Sequence, residues 1–347
     1  MNKQIYQEDY EHILSHTIPL KKLANKTILI TGANGFLPSY LIETLLYFNT
    51  KNAQKINIIG LARNKKKADE RFKTYKNRTD LKIIIQDVAL PIRIKEKVHF
   101  IVHAASQASP KYYHVDPAGT LKANVLGTYN LLEFSRSQPI DSFLFISAGE
   151  IYGIMQNKKI TTENDYGSVD PIQVRSCYAE SKRIGETMCV SWNHQYNVPT
   201  KIVRLYHAYG PGIKLDDGRV FADFVANIVR NQNIVMKSDG EAVRSFAYIA
   251  DVVAGFFTVL LKGKRAEAYN LANENATVSV KELAHILVGL FPEKKLHVVF
   301  KKRSKKDTYV ESKIKVNRPS TAKLCSLGWK PYFSLEEGFL RTIQSFT

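Results

Sequence analysis

Cysteine is nearly absent from this chain of 347 residues: Cys177, Cys189 and Cys325 form an odd and scattered set. That usage excludes a disulfide framework, offers no cysteine-based metal site, and suits a reducing compartment. No apolar run approaches the ~20 residues that a bilayer crossing needs. The first nine residues, Met1 to Asp9, also lack the apolar stretch of a secretion signal. The expectation is a cytoplasmic protein with no metal and no membrane partner. Acidic side chains are outnumbered, 32 against 50 Lys and Arg, leaving a formal charge of +18. Neither zinc-finger spacing nor an aromatic RNA-binding signature accompanies the lysines, whose densest runs are Lys65–Lys67 and Lys301–Lys306. Nucleic acid is therefore not an expected partner, and the charge reads as dispersed lysine with a general attraction for anionic substrates. What is present in quantity is core: 44% of the residues are hydrophobic and 24% charged, as in a globular protein.

Residues 1–26 read as an amphipathic helical lead-in, with Ile5, Tyr6, Tyr10, Ile13 and Leu14 spaced for one face. The apolar, β-branched run Thr27–Thr31 then predicts a buried parallel strand. It feeds into Gly32-Ala33-Asn34-Gly35-Phe36-Leu37-Pro38 and a helical segment, 39–48. Strand, glycine turn and helix in that order form the setting in which backbone N–H groups approach a dinucleotide pyrophosphate at a helix N-terminus. Pro38 stands where a third small residue is usual, and a first helical turn accepts proline. The next strand, Ile56–Leu61, ends in Ala62-Arg63-Asn64 with no carboxylate to hold the adenosine ribose. Arginine there can accommodate a 2′-phosphate, so the choice between NAD and NADP leans towards NADP. Further strands are expected at Leu81–Gln86, leading to Asp87 and Val88, and at Phe100–His103, leading to Ala104, Ala105 and Ser106. A helix at 120–137 containing Asn124 and a strand at Ser142–Ser147 follow. This alternation argues for an α/β fold, a doubly wound parallel sheet whose ligands bind beyond the carboxyl ends of its strands.

In a helix, Tyr178 and Lys182 lie four residues apart on one face. An ammonium beside a phenol favours the phenolate, making a proton-transfer group usable near neutral pH. The strand ending in Ser147-Ala148-Gly149-Glu150 points at the same crevice. In extended geometry Ile146, Ala148 and Glu150 share a face and Ser147 takes the other. A carboxylate at that mouth is a candidate acid or base.

Together Thr31 to Leu37, His103 to Ser106, Ser147 to Gly153, Tyr178 to Lys182 and Arg204 to Pro211 carry a resemblance over residues 27–345. The chain resembles the extended short-chain dehydrogenase/reductases of the nucleotide-sugar epimerase/dehydratase family, with a Rossmann sheet. Several stretches look most like UDP-glucuronate decarboxylases: His103 to Pro110, Arg175-Ser176-Cys177-Tyr178, Asp217-Gly218-Arg219-Val220 and Arg244 to Tyr248. dTDP-glucose 4,6-dehydratases are a more distant likeness. The resemblance implies that Tyr178 removes the proton of the sugar C4 hydroxyl while hydride passes to the nicotinamide. It implies that Lys182 holds the nicotinamide ribose and lowers the tyrosine pKa, and that Glu150 works near C5 and C6. Gly32, Asn34, Gly35, Phe36, Leu37 and Arg63 would bind the cofactor. Asp87, Val88, Ala104, Ala105, Ser106 and Asn124 would join them. Arg219 and Arg244 would take the nucleotide diphosphate, bidentate geometry suiting arginine to phosphate. Ala148, Gly149, Val220 and His207, which stands where the decarboxylase pattern has asparagine, complete the expected substrate contacts.

Two departures stand out. The serine or threonine that hydrogen-bonds the sugar beside the tyrosine falls on Ala148, and the dehydratase's aspartic acid falls on Gly149. The implied activity is therefore hydride transfer at C4 of a UDP- or dTDP-hexose, decarboxylase- or dehydratase-like. A net NADPH-dependent reductase of a 4-ketosugar, or a silent nucleotide-sugar-binding protein, are the alternatives. Residues 27–205, with 241–274 returning to them, would form the cofactor domain. Residues 206–240 and 275–347 would form a smaller, interleaved C-terminal substrate lobe. Helices 120–137 and 179–196 would pair across a two-fold axis as a four-helix bundle in a homodimer. A role in surface-polysaccharide precursor synthesis is a further expectation of the resemblance.

Overall fold

The computed structural model describes residues 2–16, 18–53, 55–155, 160–301 and 314–346, so most of the lysine run Lys301–Lys306 lies outside them. Along the chain come α1 (Lys3–Ser15), β1 (Thr27–Thr31), α2 (Phe36–Lys51), β2 (Asn57–Ala62), α3 (Lys65–Arg71), β3 (Leu81–Ile85) and β4 (Phe100–His103). Then follow α4 (Pro110–Val115), α5 (Pro117–Leu121), α6 (Gly127–Arg136), β5 (Ser142–Ala148), α7 (Ser176–Tyr196), β6 (Thr200–Leu205) and β7 (His207–Tyr209). The remainder holds α8 (Val220–Val229), β8 (Ile234–Met236), β9 (Val243–Tyr248), α9 (Ile249–Lys262), β10 (Ala268–Leu271) and β11 (Thr277–Ser279). It closes with α10 (Val280–Gly289), β12 (Val298–Phe300), α11 (Ala322–Cys325) and α12 (Leu335–Gln344).

Seven parallel strands make one sheet in the order β10-β6-β5-β4-β1-β2-β3. The order reverses between β1 and β4, the place where such sheets open a crevice for ligands. β1, β4 and β5 are almost wholly buried, which explains their unbroken apolar runs where an alternating pattern would mark a half-exposed strand. Residues 241–274 divide between two sheets. β9 pairs with β7 and β11 in a separate three-stranded sheet, while β10 takes the edge of the large one. Below the large sheet α9 is buried along its whole length up to Leu261, an apolar span that packs under β5 and β6.

α1 carries the expected apolar face, burying Ile5, Tyr6, Tyr10 and Ile13 against α2 and α9. It also buries Asp9, fully enclosed, which accepts hydrogen bonds from Tyr40 (2.5 Å) and Tyr248 (2.8 Å) and an ion pair from Arg341 (2.7 Å). The expected helix at 120–137 begins earlier, at Pro117, and passes through a π turn at Lys122–Leu126 before α6. No helix among the described residues is long and apolar enough to cross a membrane.

Candidate active site

The carboxyl ends of β1, β4, β5 and β6 open into a cleft of about 2000 Å3. Its cofactor end is built by the glycine turn. Gly32 has φ +70°, and a Cβ there would stand 2.9 Å from the Ala105 Cα, so only glycine lets β1 and the β4 loop approach this closely. The β4 loop is tied down in return: the N–H groups of Ala104 and Ala105 both donate to the Thr31 hydroxyl at 3.1 Å. Gly35 caps α2 without a side-chain hydrogen bond, and Phe36 and Leu37 open the helix beside Asn34 on the cleft wall. The unfilled first-turn N–H groups and the helix dipole suit a pyrophosphate. Pro38, in that same turn, removes a donor without interrupting the helix. Arg63, Asp87, Val88 and Ser106 line the same end. The Ser106 hydroxyl is buried without a hydrogen-bond partner among the described residues, as a ligand contact would leave it. The residues present fit a dinucleotide.

Asn124 departs from expectation. It is fully buried behind the cleft wall, and its amide donates to Ser181 Oγ (2.9 Å), which donates to the Tyr178 carbonyl (2.8 Å). It therefore positions the first turn of α7 through the π turn that carries it, a device frequent near functional sites.

At the centre, Tyr178 and Lys182 do share the buried face of α7. The lysine, however, is committed elsewhere: Nζ donates to the Ile146 carbonyl (2.7 Å) and lies over the Phe145 ring, 5.9 Å from the Tyr178 ring centre. Burial brings Lys182 down to about 7, with Glu186 opposing. Burial likewise pushes the Tyr178 phenol well up, Glu150 adds to this, and Arg219 and Arg175 pull it back. Lys182 is not among the charges that move Tyr178 in this arrangement. In this cleft the opposing positive charges are the two arginines, because the lysine head is turned to the β5 backbone.

Ser147 does face away from Tyr178, donating to Glu186 (2.5 Å), which is paired with Arg204 (2.8 Å). Ala148 packs with Tyr113 and Tyr178. β5 ends there, so Glu150 sits in a single helical turn, Gly149–Tyr152, and the expected extended geometry does not reach it. This turn brings its carboxylate to Arg175 (2.7 Å). Tyr113 stacks on Tyr178 with centres 5.0 Å apart and planes 18° from parallel. Arg175 lies over the other ring of that stack, 5.7 Å from the Tyr113 centre. Sequence reasoning assigned no role to Arg175 or Tyr113. The first stood next to the tyrosine motif and could have been picked out; the second lies in α4, 65 residues from Tyr178, with no motif of its own.

The substrate end holds His207, Arg219, Val220 and Arg244 on one wall. Arg219 is held by Asp217, and Arg244 by the carbonyls of Val243 (2.8 Å), Ile314 (2.9 Å) and Lys315 (3.1 Å). Burial, then Arg244 and Arg219, bring His207 down to about 3, so its imidazole is neutral at physiological pH. Its Nδ1 is buried with no partner among the described residues.

Residues 28–272 match the model of a family described as the NAD dependent epimerase/dehydratase family. The chain belongs to that family. Curated relatives include UDP-glucuronic acid decarboxylase 3 of Arabidopsis thaliana, 32% identical over 317 residues that cover 90% of this chain and 87% of the relative. UDP-glucuronic acid decarboxylase 1 of Xenopus tropicalis is 32% identical over 334 residues, covering 94% and 74%. Among solved structures, UDP-glucose 4-epimerase from Thermotoga maritima, crystallised with UDP-glucose, is 25% identical at a TM-score of 0.79 and covers 92% of this chain and 98% of that one. The fold is also that of dTDP-glucose 4,6-dehydratase from Bacillus anthracis, 20% identical with a TM-score of 0.75, covering 92% and 96%.

Proposed function

We propose that this family member oxidises C4 of a UDP- or dTDP-linked hexose and then works at C5 or C6, with a uronic acid losing carbon dioxide as the favoured reaction. The observation that carries this reading is the meeting of Tyr178, Glu150 and Arg175 beside a dinucleotide cradle, with a glycine where a dehydratase needs its acid. The decarboxylase relatives support it. A bound nicotinamide would accept hydride from C4 and return it at the end. Tyr178, as the phenolate, would take the C4 hydroxyl proton and, as the phenol so formed, give it back when hydride returns to C4. With C4 a ketone, a C5 carboxylate is a β-keto acid: its C–C bond breaks, and the electron pair passes into the carbonyl. Glu150, its carboxylate paired with Arg175, would relay the replacing proton from water to C5. Arg219 and Arg244 would hold the diphosphate, with His207 as a neutral neighbour and Val220 and Ala148 shaping the pocket. Lys182 would anchor the cofactor ribose.

Arg63 also favours acceptance of a 2′-phosphate, and a net NADPH-dependent 4-ketosugar reductase is the second reading it supports. Residues 27–205 with α9 and β10 are read as the cofactor domain, and 206–240 with 275–347 as the substrate lobe. Exposed Leu126, Tyr129, Ile184, Val190 and Tyr196 on and beside α6 and α7 support a homodimer through a four-helix bundle, which sedimentation would test.

The test is turnover of UDP-glucuronate, UDP-glucose and dTDP-glucose with NAD or NADP, products read by mass spectrometry. The expected result is a UDP-pentose and carbon dioxide without net cofactor consumption. Tyr178→Phe should cut turnover roughly a hundred- to ten-thousandfold, the usual worth of a general acid–base group, while nucleotide binding persists. Unchanged turnover in that variant would sink the mechanism. Stoichiometric NADPH consumption with a 4-ketosugar would move the assignment to the reductase.

A further inference from the structure

Away from the cleft, the C-terminal end of α1 meets the first turn of α9. His12 and His16, one helical turn apart, bring their Nε2 atoms to 3.1 Å, and His12 Nε2 lies 3.8 Å from Asp251 Oδ1. One ligand atom from each of the three residues falls within 4.8 Å of the others. None of the three lines the catalytic cleft.

The surroundings are those of an oriented ligand set. Asp251 is fully buried and its two oxygens accept the N–H groups of Tyr332 and Phe333, each at 3.1 Å. Each carboxylate oxygen has two lone pairs, so Oδ1 keeps one directed elsewhere while the backbone fixes the group, the arrangement that outer-shell hydrogen bonds give a metal-binding carboxylate. His12 is clamped between the rings of Tyr332 (4.5 Å) and Phe333 (4.9 Å). In tetrahedral zinc sites, bonds of about 2.0–2.1 Å to nitrogen put neighbouring ligand atoms about 3.3 Å apart. The His12–His16 and His12–Asp251 separations bracket that spacing. Two imidazoles and a carboxylate suit a late first-row ion, whereas Ca2+ and Mg2+ favour oxygen sets.

We propose that His12, His16 and Asp251 bind one divalent transition-metal ion, zinc foremost, with water in the fourth position. The ion is structural. It fastens α1 to α9 and to the 332–333 segment, and takes no part in chemistry at the cleft. This site does not depend on the reaction assigned above.

The experiment uses the untagged full chain, stripped with a chelator and titrated with zinc chloride alone by calorimetry, alongside His16→Gln and the double variant His12→Gln/His16→Gln. The expected result is one ion per chain, weakened roughly tenfold or more in the single variant, a loss that even outer-shell changes reach, and abolished in the double. Zinc should also protect α1 from limited proteolysis in the parent chain and not in the double variant. Circular dichroism of both variants establishes that they are folded. Absence of saturable binding would overturn the proposal, leaving the two histidines to share a hydrogen bond. Equal binding by parent and double variant would overturn it as well.

Discussion

Gly149 falls where the resemblance puts the dehydratases' proton donor, and the cleft gives a steric reason why a side chain there is disfavoured. β5 and β6 pair with Ala148 opposite Leu205, so the next residues, Gly149 and Tyr206, are lateral neighbours. A Cβ on Gly149 would lie 2.7 Å from two carbons of the Tyr206 ring and 2.9 Å from a third. The ring has little room to retreat, because it is packed with Ile151, Tyr152 and Ala272 and is only 7% exposed. Overpacking of this kind costs about 1–3 kcal/mol. Replacing glycine by alanine returns about 0.4–1 kcal/mol through the unfolded chain. Gly149→Ala should therefore lose roughly 0.5–2 kcal/mol net, the steric term winning. Tyr206→Leu opens the space at its own cost. The double variant should then be more stable than the sum of the two losses by about the relieved clash, roughly 1–3 kcal/mol. Urea unfolding followed by the fluorescence of Trp192 and Trp329 measures the midpoints. An alanine variant as stable as the parent, or losses that simply add within about 0.5 kcal/mol, would refute the steric argument. Gly149→Asp alone should then fail to create a dehydratase.

Three other outcomes are expected. His103, buried beside β1 with Nδ1 2.9 Å from the Thr31 hydroxyl, is brought down to about 3 by burial and then by Lys182. The unfolded chain takes up that proton below about pH 6.5 and the folded one does not, so stability is full above 6.5 and falls by about 1.4 kcal/mol per pH unit towards pH 3. His207, also brought down to about 3, adds an equal slope, so urea midpoints at pH 7, 6 and 5 should show both, and His103→Gln should remove about 1.4 kcal/mol per pH unit of the total. Asp9→Ala strips a buried charge from Arg341 and two tyrosine hydroxyls, and should cost about 3–5 kcal/mol, read as a lower unfolding midpoint and earlier proteolysis in α1. Arg63→Glu should shift cofactor preference towards NAD, measured as the ratio of NAD to NADP dissociation constants; an unchanged ratio would remove Arg63 from the adenosine site.

Much of the scaffold was legible because its signals are local. Thr27–Thr31 and Phe100–His103 are short apolar runs ended by glycine or by small residues, and each became a strand with those limits. The glycine turn, the tyrosine helix and the two arginines were legible for the same reason, each resting on a few adjacent residues. What could not be read is what sequence-distant groups do to one another. β9 looked like a return to the main sheet but pairs with β7 and β11, because register between remote strands leaves no mark in its own sequence. Asp9 shares the buried face of α1 with Ile5, Tyr6, Tyr10 and Ile13, and nothing in the adjacent sequence names its partners. Its partners, Tyr40, Tyr248 and Arg341, are 31, 239 and 332 residues away. Tyr113 reaches Tyr178 across 65 positions by stacking alone, a contact with no motif.

The same distinction bears on how the cleft handles charge. A net +18 suggests broad attraction for an anionic substrate, yet the positive groups at the substrate end are individually restrained. Arg219 is already paired with Asp217, Arg244 is gripped by three backbone carbonyls, and His207 is held neutral. On the proposed function, a diphosphate entering there would meet donors whose directions are fixed beforehand and whose charge is partly offset. Such a site costs little in side-chain ordering on binding and discriminates by geometry. Diffuse surface lysine can raise the encounter rate, but it is screened by salt within about 8–10 Å. On the proposed function, affinity and orientation would then come from the half-buried Arg219 and Arg244. Because Arg219 also acts on Tyr178, a diphosphate that neutralises it removes one of the two charges favouring the phenolate. On the proposed mechanism Arg175 would be left as the main protein charge favouring ionisation of the tyrosine, and its pairing with Glu150 would couple proton transfer at C4 to the carboxylate assigned to C5.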